Sequence, residues 1–410
     1  MAGSTTDLER AVREIGGRIT AALAARFRDL DIAEEAFAFA CVQAVEAQGR
    51  EAPRDPGAWL YAVALRRAYD LGRRARVRGA YRPPVLEPEQ TPEDLVLVAF
   101  EPIPDERLRL IFTCCHPALA VDARIGLTLW TLFGVPVERL APAFLTTETA
   151  MRQRLTRAKR KIREAKIPFE IPGPAAWPER VEAVLGALEV AFAQAYEDAA
   201  GAGNAAGLAG ETLRLSGLLA ELIPDEPEVL GLAATIRLAE ARRPARVDVR
   251  GRMTPLDQQD MALWDARLIG EAVVLLRRAA ALGRTGPHQL LAAIHATHCA
   301  RAEIGRTDWP AIATLYDSLA QLRPHAATAV NRAVAIGEAT GPDAGLAELA
   351  RVKGVEGWLP FQAALAALNA KAGRREQAAM AYTAALALGP APAERLYLEA
   401  CRGEYAADEA

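Results

Sequence analysis

Between Val135 and Lys166 the chain reads VPVERLAPAFLTTETAMRQRLTRAKRKIREAK, and this stretch restricts the choice of fold more than any other. Met151, Leu155, Ala158 and Ile162 recur at the 3.6-residue period of an α-helix and so fall on one stripe. A strand sends successive side chains to opposite faces, so these four residues share a face only in a helix. Arg152, Gln153, Thr156, Arg157, Arg160 and Arg163 take the other faces, Thr146 or Thr147 caps the start, and Glu148 suits the positive helix end. With the short helix predicted before it, the segment has the layout of a helix-turn-helix, whose second helix offers long donors to base edges and phosphates. Pro142 lies in the first helix, where an interior proline removes a hydrogen bond and costs roughly 3 kcal/mol. That helix is therefore either short, beginning near Pro136, or kinked.

The helical period continues along the chain. Ala and Leu dominate, β-branched runs are scarce, and the pattern predicts an all-α protein. In residues 7–48, Leu8, Val12, Ile15 and Ile19 share one face, and Ile32, Phe37 and Val42 follow a break at Arg28 to Asp31. With 410 residues there is length for two to four domains, and with 51% hydrophobic and 25% charged residues the chain is globular rather than disordered. No apolar run approaches the roughly 18 residues needed to span a bilayer, and the N-terminus lacks the basic and apolar regions of a secretory signal. A cytoplasmic protein without a membrane partner is expected, in which five cysteines without a framework spacing stay reduced.

Charge is placed unevenly. Up to residue 170 there are 26 Lys+Arg against 23 Asp+Glu, leaving 23 against 29, yet the basic residues of the first part fall in two dense blocks. One is the helix already described. The other begins at Trp59, Leu60, Val63 and Ala64 and becomes strongly basic through Arg66, Arg67, Arg73, Arg74, Arg76 and Arg78. Aromatics interleaved with arginine suit single-stranded nucleic acid, because bases stack on rings while guanidinium groups hold the backbone; Trp59 and Tyr69 serve equally well as core residues. Between the blocks, residues 83–104 hold six prolines and a run of acids, the composition of a stiff interdomain linker.

Metal and catalytic signals are weak. Cys114 and Cys115 point about 100° apart on a helix and lack the second spaced pair of a zinc site, so buried packing is expected. His295 and Cys299 share a helical face, but no glutamate completes a protease signature, and no phosphate loop or nucleophile elbow occurs elsewhere. The sequence predicts no cofactor, no metal and no catalytic residue. In the last third, Ala300, Tyr316, Leu319 and Pro324 are spaced like tetratricopeptide-repeat positions, and Ala366, Ala378, Tyr382, Ala385 and Pro390 repeat that spacing. Stacked helix pairs of this kind present a concave face suited to a peptide, a partner domain or the same chain.

Taken together, DLDIAEEAF (29–37), DPGAWLYAVALRRAYDLGRR (55–74), DERLRLIFTCCHPALA (105–120) and AFLTTETAMRQRLTRAKRKIREAKIPFEIP (143–172) resemble the extracytoplasmic-function class of sigma-70 family RNA polymerase sigma factors. IPDEPEVLGL, ARRPARVD, LWDARLI, GPHQLLAAI, DWPAIATLYDSL and NRAVA extend the resemblance to the subgroup with a long helical, tetratricopeptide-like C-terminal extension. The resemblance implies four parts. Residues 7–82 are similar to sigma region 2, which binds the polymerase core (β and β′ subunits) and the minus-ten element; 83–104 form the linker; 105–168 are similar to region 4, which reads the minus-thirty-five element; and 174–410 form the extension. It implies core contacts from Asp31, Glu34 and Glu35, and minus-ten contacts from Trp59, Arg66, Arg67, Asp70, Arg73 and Arg74. Upstream-element contacts fall to Thr149, Arg152, Gln153, Arg157, Arg160, Lys161 and Arg163. The expected partners are polymerase core, promoter DNA and either a separate regulator or an intramolecular contact through the extension. The chain departs from the family pattern at Ala150, where relatives carry a hydroxyl residue, and at Ala38, Phe39, Leu65 and Pro142, which leave a second reading open: a degenerate sigma-like DNA-binding scaffold acting through its repeats.

Overall fold

The computed structural model describes residues 2–47, 55–77, 106–144, 146–173, 176–197 and 205–406. Among these residues every regular element is helical apart from one isolated bridge between Val247 and Met253, as the periodicity predicts. The linker expected at 83–104 lies outside the described residues. Two compact units divide the chain, Met1–Ala191 and Phe192–Ala410. No helix among the described residues is long and apolar enough to cross a membrane.

The first unit opens with α1 (Ala2–Phe27), which ends where Arg28 takes a left-handed conformation, φ 51°. Asp29 then caps α2 (Leu30–Glu46) by accepting from Asp31 N and Ile32 N at 2.8 and 3.1 Å, satisfying two of the orphan donors of a helix start. The buried face of α2 is Leu30, Ile32, Ala33, Ala36, Ala40 and Ala44. Of the residues expected there, Phe37 is half-buried and Val42 is 54% exposed, because the small alanines, not the larger apolar residues, allow α2 to approach its neighbours closely. α3 (Pro56–Val77) starts at Asp55, whose carboxylate accepts from Ala58 N, and packs on α1 and α2 through Leu60, Ala64, Leu65 and Ala68.

The same unit continues with α4 (Arg107–Cys114), α5 (Val121–Phe133), α6 (Val137–Ala143) and α7 (Glu148–Glu164). Gly134, at φ 61°, ends α5 with the left-handed turn that a side chain would resist. The helix carrying Pro142 is short, starting just after Pro136. Thr147 is the residue that caps α7, accepting from Ala150 N at 3.2 Å, and Glu148 occupies its first turn. Met151, Leu155, Ala158 and Ile162 are all buried, the larger three contributing about 1.5–3 kcal/mol each. α1 packs on both α4 and α5, so the two helix groups share one core around Ile19, Leu23, Phe112 and Leu132. Cys114 and Cys115 are fully buried in it, as packing residues. α8 (Trp177–Glu197) begins in this unit, where Arg180 donates to the Phe112 carbonyl oxygen at 2.6 Å.

In the second unit α9 (Ala205–Leu222), α10 (Pro227–Ala241), α11 (Ala266–Ala281) and α12 (Pro287–Cys299) pack in chain order, α10 being buried on nearly every turn. After the single turn α13 (Arg301–Ile304) come α14 (Trp309–Leu322), α15 (Ala326–Thr340), α16 (Pro342–Leu349), α17 (Leu359–Lys371), α18 (Arg375–Ala387) and α19 (Pro392–Ala406). Their cores form a relay. Leu290, Ile294, Ile312 and Leu319 meet Ala335 of α15; Val330 and Ala333 of the same helix meet Leu349, Phe361 and Leu368; and Ala366 of α17 meets Ala378, Tyr382, Ala385 and Leu398. α15 and α17 each serve two of these clusters and so link them in series.

Candidate nucleic-acid interface

The outer face of α7 follows from its capping and its stripe. With Met151, Leu155, Ala158 and Ile162 turned inward, Thr149, Arg152, Gln153, Arg157, Arg160, Lys161 and Arg163 are all exposed. Neighbouring carboxylates hold several of these donors. Arg152 pairs with Glu138 of α6 at 2.5 Å and Glu148 at 3.6 Å, which ties the two helices across the turn, and Arg160 lies 3.8 Å from Glu164. Arg157 and Lys161 form no ion pair among the described residues. They line a cleft of about 320 Å³ with Arg154, Leu119 and Asp122, where Arg154 rests 3.6 Å from Asp122 and over the Phe144 ring. Three cations around one cleft suit a phosphate. Arg154 is a cleft residue that the sequence pattern places near the apolar stripe and does not single out.

On α3, Arg66, Arg73 and Arg74 are exposed, while Trp59, Arg67 and Asp70 are partly buried. Asp70 is bonded to Arg73. Arg67 bonds Glu35 at 2.8 Å and stacks over Phe39 at 4.9 Å, joining α3 to the exposed side of α2. Tyr69 is a packing aromatic: it meets Phe27 edge-on at 5.0 Å, and its hydroxyl accepts from Arg26 Nε at 2.8 Å. Next to Glu35, α2 turns Phe39, Val42 and Val45 to solvent at 38, 54 and 60% exposure. Their spacing, opposite Ala33, Ala36, Ala40 and Ala44, is visible in the sequence once the alanines are read as the buried face.

Asp31 and Glu34 have partners far away in sequence, 125 residues in the case of Glu34. Lys159 Nζ lies 2.7 Å from Glu34 Oε2 and 2.9 Å from Asp31 Oδ1, and Arg163 lies 3.2 Å from Asp31 and 4.0 Å from Asp29. Trp130 Nε1 donates to the second oxygen of Glu34 at 3.2 Å. Burial pushes the Glu34 carboxyl above its usual range despite Lys159 beside it. Burial works against the Lys159 ammonium, yet Glu34 and Asp31 leave it raised, so it stays charged. Lys159 and Trp130 were not among the residues expected to matter, because nothing local marks a partner so distant in sequence.

In the second unit, His295 Nδ1 meets the buried Arg242 guanidinium at 2.5 Å, and His298 packs edge-on against Trp309 at 5.3 Å. Burial foremost, with Arg242, holds His295 well below 6.5 and His298 at about 4, so both are neutral packing and hydrogen-bonding groups. Among the described residues no three His, Cys, Asp or Glu side chains converge as a metal site.

Residues 180–280 match the model of a family of unknown function, DUF6596. No solved structure matches the chain. The uncharacterized protein R00370 of Rhizobium meliloti (strain 1021) is 37% identical over 400 residues, which cover 95% of this chain and 93% of that one. With that similarity running along nearly all of both chains, this chain belongs to one family with the Rhizobium meliloti protein.

Proposed function

We propose that the chain is a sigma factor that brings RNA polymerase core to a restricted set of promoters, with residues 174–410 as a tetratricopeptide-like extension that regulates or stabilises it. The observation that carries the reading is the exposed face of α2: Phe39, Val42 and Val45 form an apolar stripe beside Glu35, opposite a buried face of Leu30, Ile32 and four alanines. Apolar residues held in water at i, i+3 and i+6 suit a helical partner surface, and the family resemblance makes that partner the polymerase clamp. Ala38 and Phe39, which depart from the family's polar pattern, then become part of an apolar version of the same contact.

DNA binding rests on α7. Its outer face offers Arg152, Gln153 and Thr149 for base edges and Arg157, Arg160, Lys161 and Arg163 for phosphates, with Arg154 added at the cleft. Minus-ten contacts are assigned to Trp59, Arg66, Arg67, Asp70, Arg73 and Arg74. The protein performs no chemistry in this reading; the polymerase does.

Core binding tests the reading at the residue level. Val42→Asp, placed on an exposed position, lowers the affinity of the full chain for purified polymerase core at least tenfold and leaves its circular dichroism and melting temperature unchanged. Equal core affinity for the variant and the native chain would remove α2 as the docking face.

A further inference from the structure

We infer that the groove between α11 and α12 of the second unit is a docking site for an acidic amphipathic helix of a partner protein. The inference goes beyond the sigma-factor reading and stands whether or not the first unit acts with polymerase.

Three observations lead to it. First, the groove has the form that a helix fills. α11 and α12 each pack along α10, and between them lies a cleft of about 460 Å³. Val273, Leu276 and Ala280 line one wall at i, i+3 and i+7, and Leu290, Ala293 and Thr297 line the other at the same spacing. The Thr297 hydroxyl is spent on its own helix, donating to the Ala293 carbonyl oxygen at 2.8 Å. Seven residues of helix rise about 10 Å, so each wall offers two turns of largely apolar surface to a third helix laid between them. Second, the chain does not cover this surface. Only Leu290 reaches the core behind it; Val273, Leu276 and Ala293 are partly buried, Ala280 is exposed, and Val274 beside them is 55% exposed. Apolar groups left in water at helical spacing favour a partner that covers them. Third, charge selects the partner. From Ala272 to Ala302 the chain has no Asp or Glu. Arg277 lines the groove, Arg278 follows it, and both are exposed and form no ion pair among the described residues. The carboxylates that reach these helices are engaged already: Glu228 accepts from His288 N and Gln289 N at the start of α12, Glu226 holds Arg284, and Glu271 holds Arg237 and Arg267. A helix with an apolar face and flanking carboxylates matches the groove in both shape and charge, whereas a phosphate backbone matches the charge alone.

The test uses the full chain, without polymerase, and two fluorescein-labelled peptides of about 18 residues, long enough to form a helix on binding. One carries leucine at i, i+3 and i+7 with glutamate elsewhere; the other has lysine in place of glutamate. By fluorescence anisotropy the native chain is expected to bind the glutamate peptide about tenfold more tightly than the lysine peptide. Arg277→Glu with Arg278→Glu, both at exposed positions, reverses that preference. Ala293→Arg fills the groove and lowers affinity for the glutamate peptide about tenfold. Val274→Asp, on the exposed rim, lowers it in the same direction with an unchanged melting temperature, which keeps the test decisive should Ala293→Arg fail to fold. A glutamate peptide that does not bind, or that binds every variant as tightly as the native chain, overturns the site. A native chain that sediments as a dimer, and that Val274→Asp returns to a monomer, gives the groove to a second copy and overturns the partner named here. A single-stranded oligonucleotide that binds as tightly as the glutamate peptide and loses affinity equally in Ala293→Arg overturns it in favour of nucleic acid.

Discussion

A Cβ built on Gly17 of α1 would overlap the carbonyl oxygen of Leu132 at the end of α5, so these two helices meet backbone to backbone. Only glycine permits that approach, and any side chain forces them apart. Gly17→Ala is expected to destabilise the first unit by about 1–3 kcal/mol, and Gly17→Leu by more, in urea denaturation of the full chain. A Gly17→Leu protein with native stability would show that the α1–α5 contact is absent in solution.

The pairing of Lys159 with Glu34 predicts an asymmetry between its two halves. Glu34→Gln keeps an acceptor for Trp130 Nε1 and removes a carboxylate that burial already disfavours, so it changes stability by less than about 1 kcal/mol. Lys159→Met leaves Glu34 and Asp31 facing each other without their main counter-charge and costs about 2 kcal/mol. Equal costs for the two variants at pH 7.5 would contradict the charge arrangement described.

Acid sensitivity is expected in the second unit. His298 is pushed down to about 4 and His295 well below 6.5, by burial first and then Arg242. The unfolded chain takes up protons between pH 6.5 and about 4 that the folded form refuses. Stability is therefore full above pH 6.5 and falls as the pH drops through that window, by about 3 kcal/mol from His298 alone. His298→Leu should remove part of this dependence, as followed by urea midpoints at pH 7.5 and 5. A midpoint that does not move between those two pH values in the native chain would argue against neutral buried imidazoles.

Thiol reactivity separates packing cysteines from reactive ones. Burial raises the Cys115 thiol to about 11, and Cys114 and Cys299 also shift upward from the same cause. At pH 8 a disulfide reagent should modify only Cys41 and Cys401 in the native chain, and all five cysteines after denaturation. Rapid reaction at Cys114 or Cys115 would place them outside the core.

Much of α7 was legible in its sequence because its determinants are local: Met151, Leu155, Ala158 and Ile162 repeat at helical period, and Thr147 precedes the first turn. On α2 the same rule misled, since hydropathy ranks Val42 and Phe37 above Ala33, Ala36 and Ala40. Close helix packing selected the smaller residues and left Val42 in water. Gly17, Trp130 and Lys159 carry no local signal, because each is defined by a partner more than 95 residues distant, as the spacings of 96 and 125 residues for Trp130 and Lys159 illustrate. Arg154 escaped for a related reason, its cleft being formed only when α5 and α7 come together.

The most direct measurement is transcription in vitro with the purified full-length chain, purified polymerase core and a library of genomic promoter fragments. Discrete transcripts from a subset of fragments, dependent on the added chain, are expected of a sigma factor. Arg157→Ala with Lys161→Ala is expected to weaken initiation and flatten its salt dependence, as the loss of two phosphate contacts requires. A protein that neither binds core nor supports initiation from any fragment, with its fold intact, would contradict the sigma-factor reading.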